Sequence, residues 1–221
     1  MDLTTPRAGG AVHPAYANPR PEVQALVPAG AKRILDVGCS AGVLGAELRA
    51  RGARVVGIEH DPELAASART RLDEVLVGDV EALAAQGADV GGPFDCVVCA
   101  DVLEHLRDPW AVVRWAADLL DEGGSLVISV PNARHLETFW SLGVRRRWPY
   151  RSIGIFDRTH LRWFARANLP ELLDGTDLSI VELQRSHMLR VERPTSRWNR
   201  VAPWLGDLGT LQFIIRAERS A

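Results

Sequence analysis

Two carboxylates bracket a glycine-rich turn in the first third of the chain, and together they restrict the ligand that the turn can hold. Asp36 lies near the end of the apolar run Ile34-Leu35-Asp36-Val37, and Gly38-Cys39-Ser40-Ala41-Gly42 follows it. Glu59 ends a second apolar run, Val55-Val56-Gly57-Ile58, 17 residues beyond Gly42. Glycines let the backbone approach a ligand closely, and the start of the next helix offers free N–H groups. A carboxylate two residues before Gly38 repels a pyrophosphate on the same loop and attracts a cation or an amine. A carboxylate at the end of the second strand suits a ribose, because its two oxygens accept both hydroxyls of a cis-diol. His60, next in sequence, is placed to flank a base. A second set of residues suits proton transfer: His105, His160 and Asp157. Histidine changes charge near neutral pH and is the usual group to take a proton from a hydroxyl. For His105 the alternative is a helix-start residue that contacts the cofactor.

These residues need an open α/β sheet to bring them together. The run 32–37 reads as a buried parallel strand, the glycines as a tight turn, and Val43–Ala50 as a helix. Arg54–Ile58, Val75–Val77, Phe94–Ala100 and Ser125–Val130 read as the next four strands. Asp61-Pro62 starts a helix after the second strand, and Pro109 starts one that Gly123-Gly124 close. Asp79, just past the third strand, has a plain alternative as the cap of a helix over 81–85. Residues 133–165 break the alternation and carry Trp140, Trp148, Tyr150 and Trp163 with the run Arg145-Arg146-Arg147. A helix over 168–173 and strands at 178–183 and 211–216 end the chain. Residues 1–20, rich in Pro, Gly and Ala, read as a flexible arm before a domain at 21–221. Tyr16, Arg20 and Pro21, before the first strand, also resemble the N-terminal segment of a known family, which there often covers the cofactor.

A ligand with an ammonium group, a sulfonium, a ribose and no phosphate is S-adenosylmethionine (SAM). The stretch 32–45 resembles motif I of the class I SAM-dependent methyltransferases, with Ser40 in place of the middle glycine. The turn tolerates serine with a negative φ. The string Phe94-Asp95 through Asp101-Val102-Leu103-Glu104-His105-Leu106 resembles motif IV of the small-molecule members and is more specific than the glycine loop. The resemblance implies a Rossmann-like sheet of seven strands, parallel except for the last, with helices on both faces and an insert after strand five at 132–165. It implies that Asp36, Gly38, Cys39, Ser40, Gly42, Glu59, His60, Asp79, Val80, Ala100 and Asp101 hold SAM, whose product is S-adenosylhomocysteine. The segment 154–164 resembles bacterial members acting on sugars and secondary metabolites. Trp140, Arg145, Trp148, Tyr150 and Trp163 are expected to bind the acceptor, since indole faces stack on rings. No metal is expected.

Composition sets further bounds. The chain has 221 residues, 47% of them hydrophobic, and a net charge of −2. That charge gives no general pull toward nucleic acid or an anionic membrane. No apolar run reaches transmembrane length and no signal-peptide core opens the chain, so a cytoplasmic location is expected. Three cysteines form no disulfide framework, and Cys96 and Cys99 fall on opposite faces of one strand. A nicotinamide oxidoreductase is disfavoured by Asp36, Ser40 and the motif IV string. RNA methylation finds support only in Arg145–Arg147 with interleaved aromatics, which read equally as a solvated face or a clamp for a phosphorylated or nucleotide-linked acceptor. A non-catalytic SAM-binding subunit is the other alternative. The sequence is silent on oligomeric state.

Overall fold

A computed structural model describes residues 18–186 and 202–219. Most of the arm, Tyr16 included, and Trp198 fall outside the described residues, as does the side chain of Trp204. The elements, in order, are α1 Pro21–Gln24, β1 Arg33–Val37, α2 Val43–Ala50, β2 Arg54–Glu59, α3 Pro62–Ala68, β3 Glu74–Val77, α4 Val80–Ala85, β4 Phe94–Ala100, α5 Pro109–Asp118, β5 Leu120–Pro131, α6 Leu136–Phe139, β6 Leu178–Ser186 and β7 Gln212–Arg219. They form one seven-stranded sheet in the order β3-β2-β1-β4-β5-β7-β6. β7 runs antiparallel to both neighbours and the other pairings are parallel. This is the expected Rossmann-like sheet. The order reverses between β1 and β4, so the crevice at their carboxyl ends is where an open α/β sheet binds its ligand.

β1, β2 and β4 are buried on both faces, which explains their continuous apolar runs. Cys99 packs in the core on one side of the sheet and Cys96 in the core on the other. α3 and α5 open as the sequence suggests: Asp61 Oδ1 accepts from Glu63 N–H at 2.8 Å, and Asp108 Oδ1 from Ala111 N–H at 3.0 Å.

Three expectations change. Gly123 and Gly124 lie within β5 and do not cap α5, because the strand already pairs at Phe94↔Leu120. The stretch 168–173 forms two short 3₁₀ turns, Arg166–Asn168 and Pro170–Leu173; Pro170 has no N–H with which to continue one helix. The end of the arm is held firmly. Arg20 is 4% exposed, donates to Ser129 Oγ at 2.8 Å and to Gln212 Oε1 at 3.3 Å, and pairs with Asp101. A guanidinium with several donors can bind three strand ends at once, which composition alone does not reveal.

The insert leaves the sheet at Asn132 and returns at Phe164, where Ala133 N–H donates to Phe164 O at 2.8 Å. Its second contact is with the turn after β4. The carbonyl of Glu104 accepts from Leu161 N–H at 2.8 Å and from Arg162 N–H at 3.1 Å.

Candidate active site

The glycine turn follows from its backbone. Gly38 and Gly42 have φ of +70° and +78°, and a Cβ on Gly42 would come within 3.0 Å of the Ala68 Cα. The left-handed conformation alone costs about 1–2 kcal/mol for a residue with a Cβ. Gly42→Ala is therefore expected to lower the urea midpoint by at least that equivalent, read as a shift in the unfolding curve at constant slope. Ser40 also has a positive φ, +52°, contrary to the negative value expected for serine there. Its N–H donates to Glu59 Oε2 at 2.9 Å, and this charge-assisted bond holds the strained residue in place.

Glu59 is 5% exposed. Its Oε1 accepts from Asp61 N–H at 2.9 Å and lies 2.9 Å from His60 Nδ1. Burial pushes the carboxyl up, but His60 and the two N–H groups outweigh burial and hold it below its usual range. The hydrogen bond that His60 donates to Glu59 outweighs burial and raises His60 in turn. Asp36 is only 2% exposed. Burial, then the charge of Glu59, pushes its pKa up to about 7. Asp36 Oδ2 and Ser40 Oγ are buried without a hydrogen-bond partner, as groups awaiting an amine or hydroxyl would be. Cys39 is 5% exposed, its thiol pushed up by burial. Asp79 caps α4 by accepting from Glu81 N–H at 2.8 Å, with Val80 buried behind it. Asp101, beyond Ala100, sits at φ +55° and accepts from Ser129 Oγ at 2.9 Å and Gln212 Nε2 at 2.8 Å, besides pairing with Arg20.

Across the same crevice the insert meets the β4 turn. His105 and His160 stack edge-on with ring centroids 4.9 Å apart. Thr159 Oγ donates to Asp157 Oδ1 at 2.7 Å and lies 3.0 Å from His105 Nδ1. Since the hydroxyl proton is committed to Asp157, the Thr159 oxygen accepts from His105 Nδ1–H; the Thr159 carbonyl, 3.3 Å away, is a second acceptor. His105 Nε2 then keeps its lone pair. Burial lowers the His105 pKa, and burial with the charge of His105 lowers His160 to about 4. Glu104, 2% exposed, is pushed up by burial to about 8. Glu104, His105 and His160 each bring one potential ligand atom within 4.8 Å of the others. The trio offers groups for proton transfer and, equally, donor atoms for a cation.

These shifts set a pH dependence. From pH 6.5 to about 8 the native state binds more protons than the unfolded chain at Asp36, Glu104 and His60, so stability falls as pH rises. His105 and His160 act below 6.5, where their lowered values make stability fall with falling pH. Glu104→Gln is expected to flatten the alkaline decline, measured as urea midpoints at pH 6.5 and 8.

Of the residues expected to bind the acceptor, Trp148 stacks edge-on with Phe156 at 4.7 Å and Trp163 at 5.9 Å. Trp163 also lines a small cavity of about 160 Å³ with Trp110 and Arg162. Trp140 and Tyr150 are 52% and 72% exposed, Arg145 is exposed, and none of the three lines that cavity. Thr159 and Glu104 were not singled out as site residues by sequence. The signal for Thr159 was present: Asp-x-Thr closes a local turn in which Asp157 Oδ1 also accepts from Thr159 N–H at 2.9 Å.

The family model described as "Methyltransferase domain" matches residues 13–183. The chain belongs to that methyltransferase family. Among curated relatives, the ubiquinone biosynthesis O-methyltransferase of Xanthomonas axonopodis pv. citri (strain 306) is 44% identical over 113 residues, 48% of this chain and 46% of that protein. The protein of the same name from Xylella fastidiosa (strain 9a5c) is 39% identical over 109 residues, 48% and 44% of the two chains. The methyltransferase thus spans about half the length of the curated relatives it matches. Its fold is similar to magnesium protoporphyrin IX methyltransferase from Synechocystis PCC 6803 with bound SAH, at a TM-score of 0.65 and 18% identity over 96% of this chain and 90% of that one. A SAM-dependent methyltransferase from Thermotoga maritima gives 0.64 and 16%, covering 93% and 89%. The class I methyltransferase fold expected from the sequence is therefore the fold of this chain.

Proposed function

We propose that this methyltransferase moves a methyl group from SAM to a hydroxyl of a small molecule, with His105 Nε2 as the base. The observation that carries the reading is the Asp157–Thr159–His105 chain, which leaves that nitrogen unprotonated at the carboxyl end of β4. Names of the curated relatives support an oxygen acceptor. The acceptor is a ring-bearing compound such as a sugar or secondary metabolite; the stacked Trp148 and the half-exposed Trp163 support a ring there. Among the described residues of the site, none favours a phosphate on it.

The residues fit the cofactor: the glycine turn, the orphaned Asp36 and Ser40 oxygens, and the paired Glu59 would hold the amine, the main chain and the ribose. SAM supplies a methyl on a sulfonium, which is already a good electrophile. His105 takes the hydroxyl proton as the oxygen–methyl bond forms and the sulfur–methyl bond breaks. Holding the two reactants in line can supply up to about 7–11 kcal/mol, and the base adds to it. The test is calorimetric titration with SAM and NAD, then transfer of labelled methyl to a panel of phenols and sugars after exhaustive chelation. Saturation by SAM alone and label on oxygen support the reading. Saturation by NAD, turnover lost on chelation, or binding without transfer to any acceptor sinks it.

A further inference from the structure

No helix among the described residues is long and apolar enough to cross a membrane, and the sequence led us to expect no membrane partner. The insert nevertheless has the surface of a segment that lies on one. Of eleven large hydrophobic residues exposed among the described residues, nine fall between 136 and 163. The helix there, α6 with the π-helical turn Trp140–Val144 that continues it, is inside out. Leu136, Phe139, Trp140, Leu142 and Val144 are 39–59% exposed, while the polar Ser141 is 3% exposed. Soluble helices bury the apolar face and wet the polar one. Exposed apolar groups contiguous along one segment mark a contact with something else.

Charge identifies the occupant. Residues 134–163 hold seven arginines against Glu137 and Asp157, a net of +5 in a chain of net −2. Arg145, Arg146 and Arg147 are exposed just past the helix, and Tyr150, 72% exposed, follows them. Residues 136–150 themselves carry Arg145, Arg146 and Arg147 against Glu137, so a second copy of the same patch would bring +2 against +2. An anionic bilayer complements both features. Apolar side chains enter the acyl boundary, aromatic rings sit at the headgroups, and arginines meet the phosphates.

We propose that residues 136–150 dock this protein on the surface of an anionic lipid bilayer. The proposal is independent of the acceptor and of the base. The test is co-sedimentation of the full chain with vesicles of phosphatidylglycerol mixed into phosphatidylcholine, against phosphatidylcholine alone. Binding to the anionic vesicles only is expected, weakening as salt rises. Leu142→Ser/Val144→Ser and Arg146→Glu/Arg147→Glu should each weaken it about tenfold or more. Circular dichroism melts that match the parent show that both variants fold. Three results overturn the proposal: no binding to anionic vesicles, binding undiminished in both folded variants, or a concentration-dependent dimer that Leu142→Ser/Val144→Ser abolishes.

Discussion

His105→Gln is expected to lower turnover by about 10²–10⁴-fold, the range of a lost general base, while SAM affinity stays within a few-fold. In the parent enzyme the base works neutral. Burial holds the His105 pKa below 6.5, so activity should rise through that lowered value and be level by neutral pH. Thr159→Val removes the acceptor that fixes the Nδ1 proton. It should cost about tenfold, the worth of one hydrogen bond, and Thr159→Ser should restore the rate. A His105→Gln enzyme that keeps its turnover across the pH range would show that proximity alone suffices. Equal losses for the valine and serine variants would mean that Thr159 matters for packing and not for its hydroxyl.

The second large effect concerns Glu59. Glu59→Ala removes the acceptor for the N–H groups of Ser40 and Asp61 and, on the proposed reading, the ribose contact. Hydrogen bonds to a charged group are worth about 1.5–3 kcal/mol each, so SAM affinity should fall roughly ten- to a hundredfold or more. Asp36→Ala removes the orphaned oxygen that would take the amine and should weaken SAM binding roughly ten- to a hundredfold as well. Asp36→Asn, which keeps the shape but loses the charge and one acceptor oxygen, should fall between Asp36→Ala and the parent. Titration calorimetry on both variants, after a melting curve, decides the matter. A folded Glu59→Ala protein with parental affinity removes the ribose assignment.

The sheet was legible because its signals are local. Apolar runs, glycines and Pro-capped helices lie in order along the chain, and each announces one element. The carboxylates at strand ends were legible for the same reason, since topology puts every strand end on one edge. What escaped was set by distant contacts. Ser40 adopts a positive φ because Glu59, 19 residues on, takes its N–H. Arg20 is fixed by Ser129 and Gln212, more than a hundred residues away. Thr159 gains its role only from His105, 54 positions earlier. Sequence placed the aromatic residues of the insert in one acceptor site, yet Trp148 and Trp163 pack together while Trp140 and Tyr150 face outward. Helical and loop spacing alone does not say which side is wet.

The single carbonyl of Glu104 that serves both Leu161 and Arg162 bears on how substrate preference could be redesigned. Loops on such scaffolds invite grafting, with one enzyme's segment moved onto another. Here the two pieces are stitched, so a graft that carries 132–165 but not 101–106 breaks the seam on which the histidine pair is aligned. A chimera should therefore take both stretches from one parent. Recombinants that mix them are expected to fold and bind SAM but turn over poorly, whichever acceptor the donor prefers.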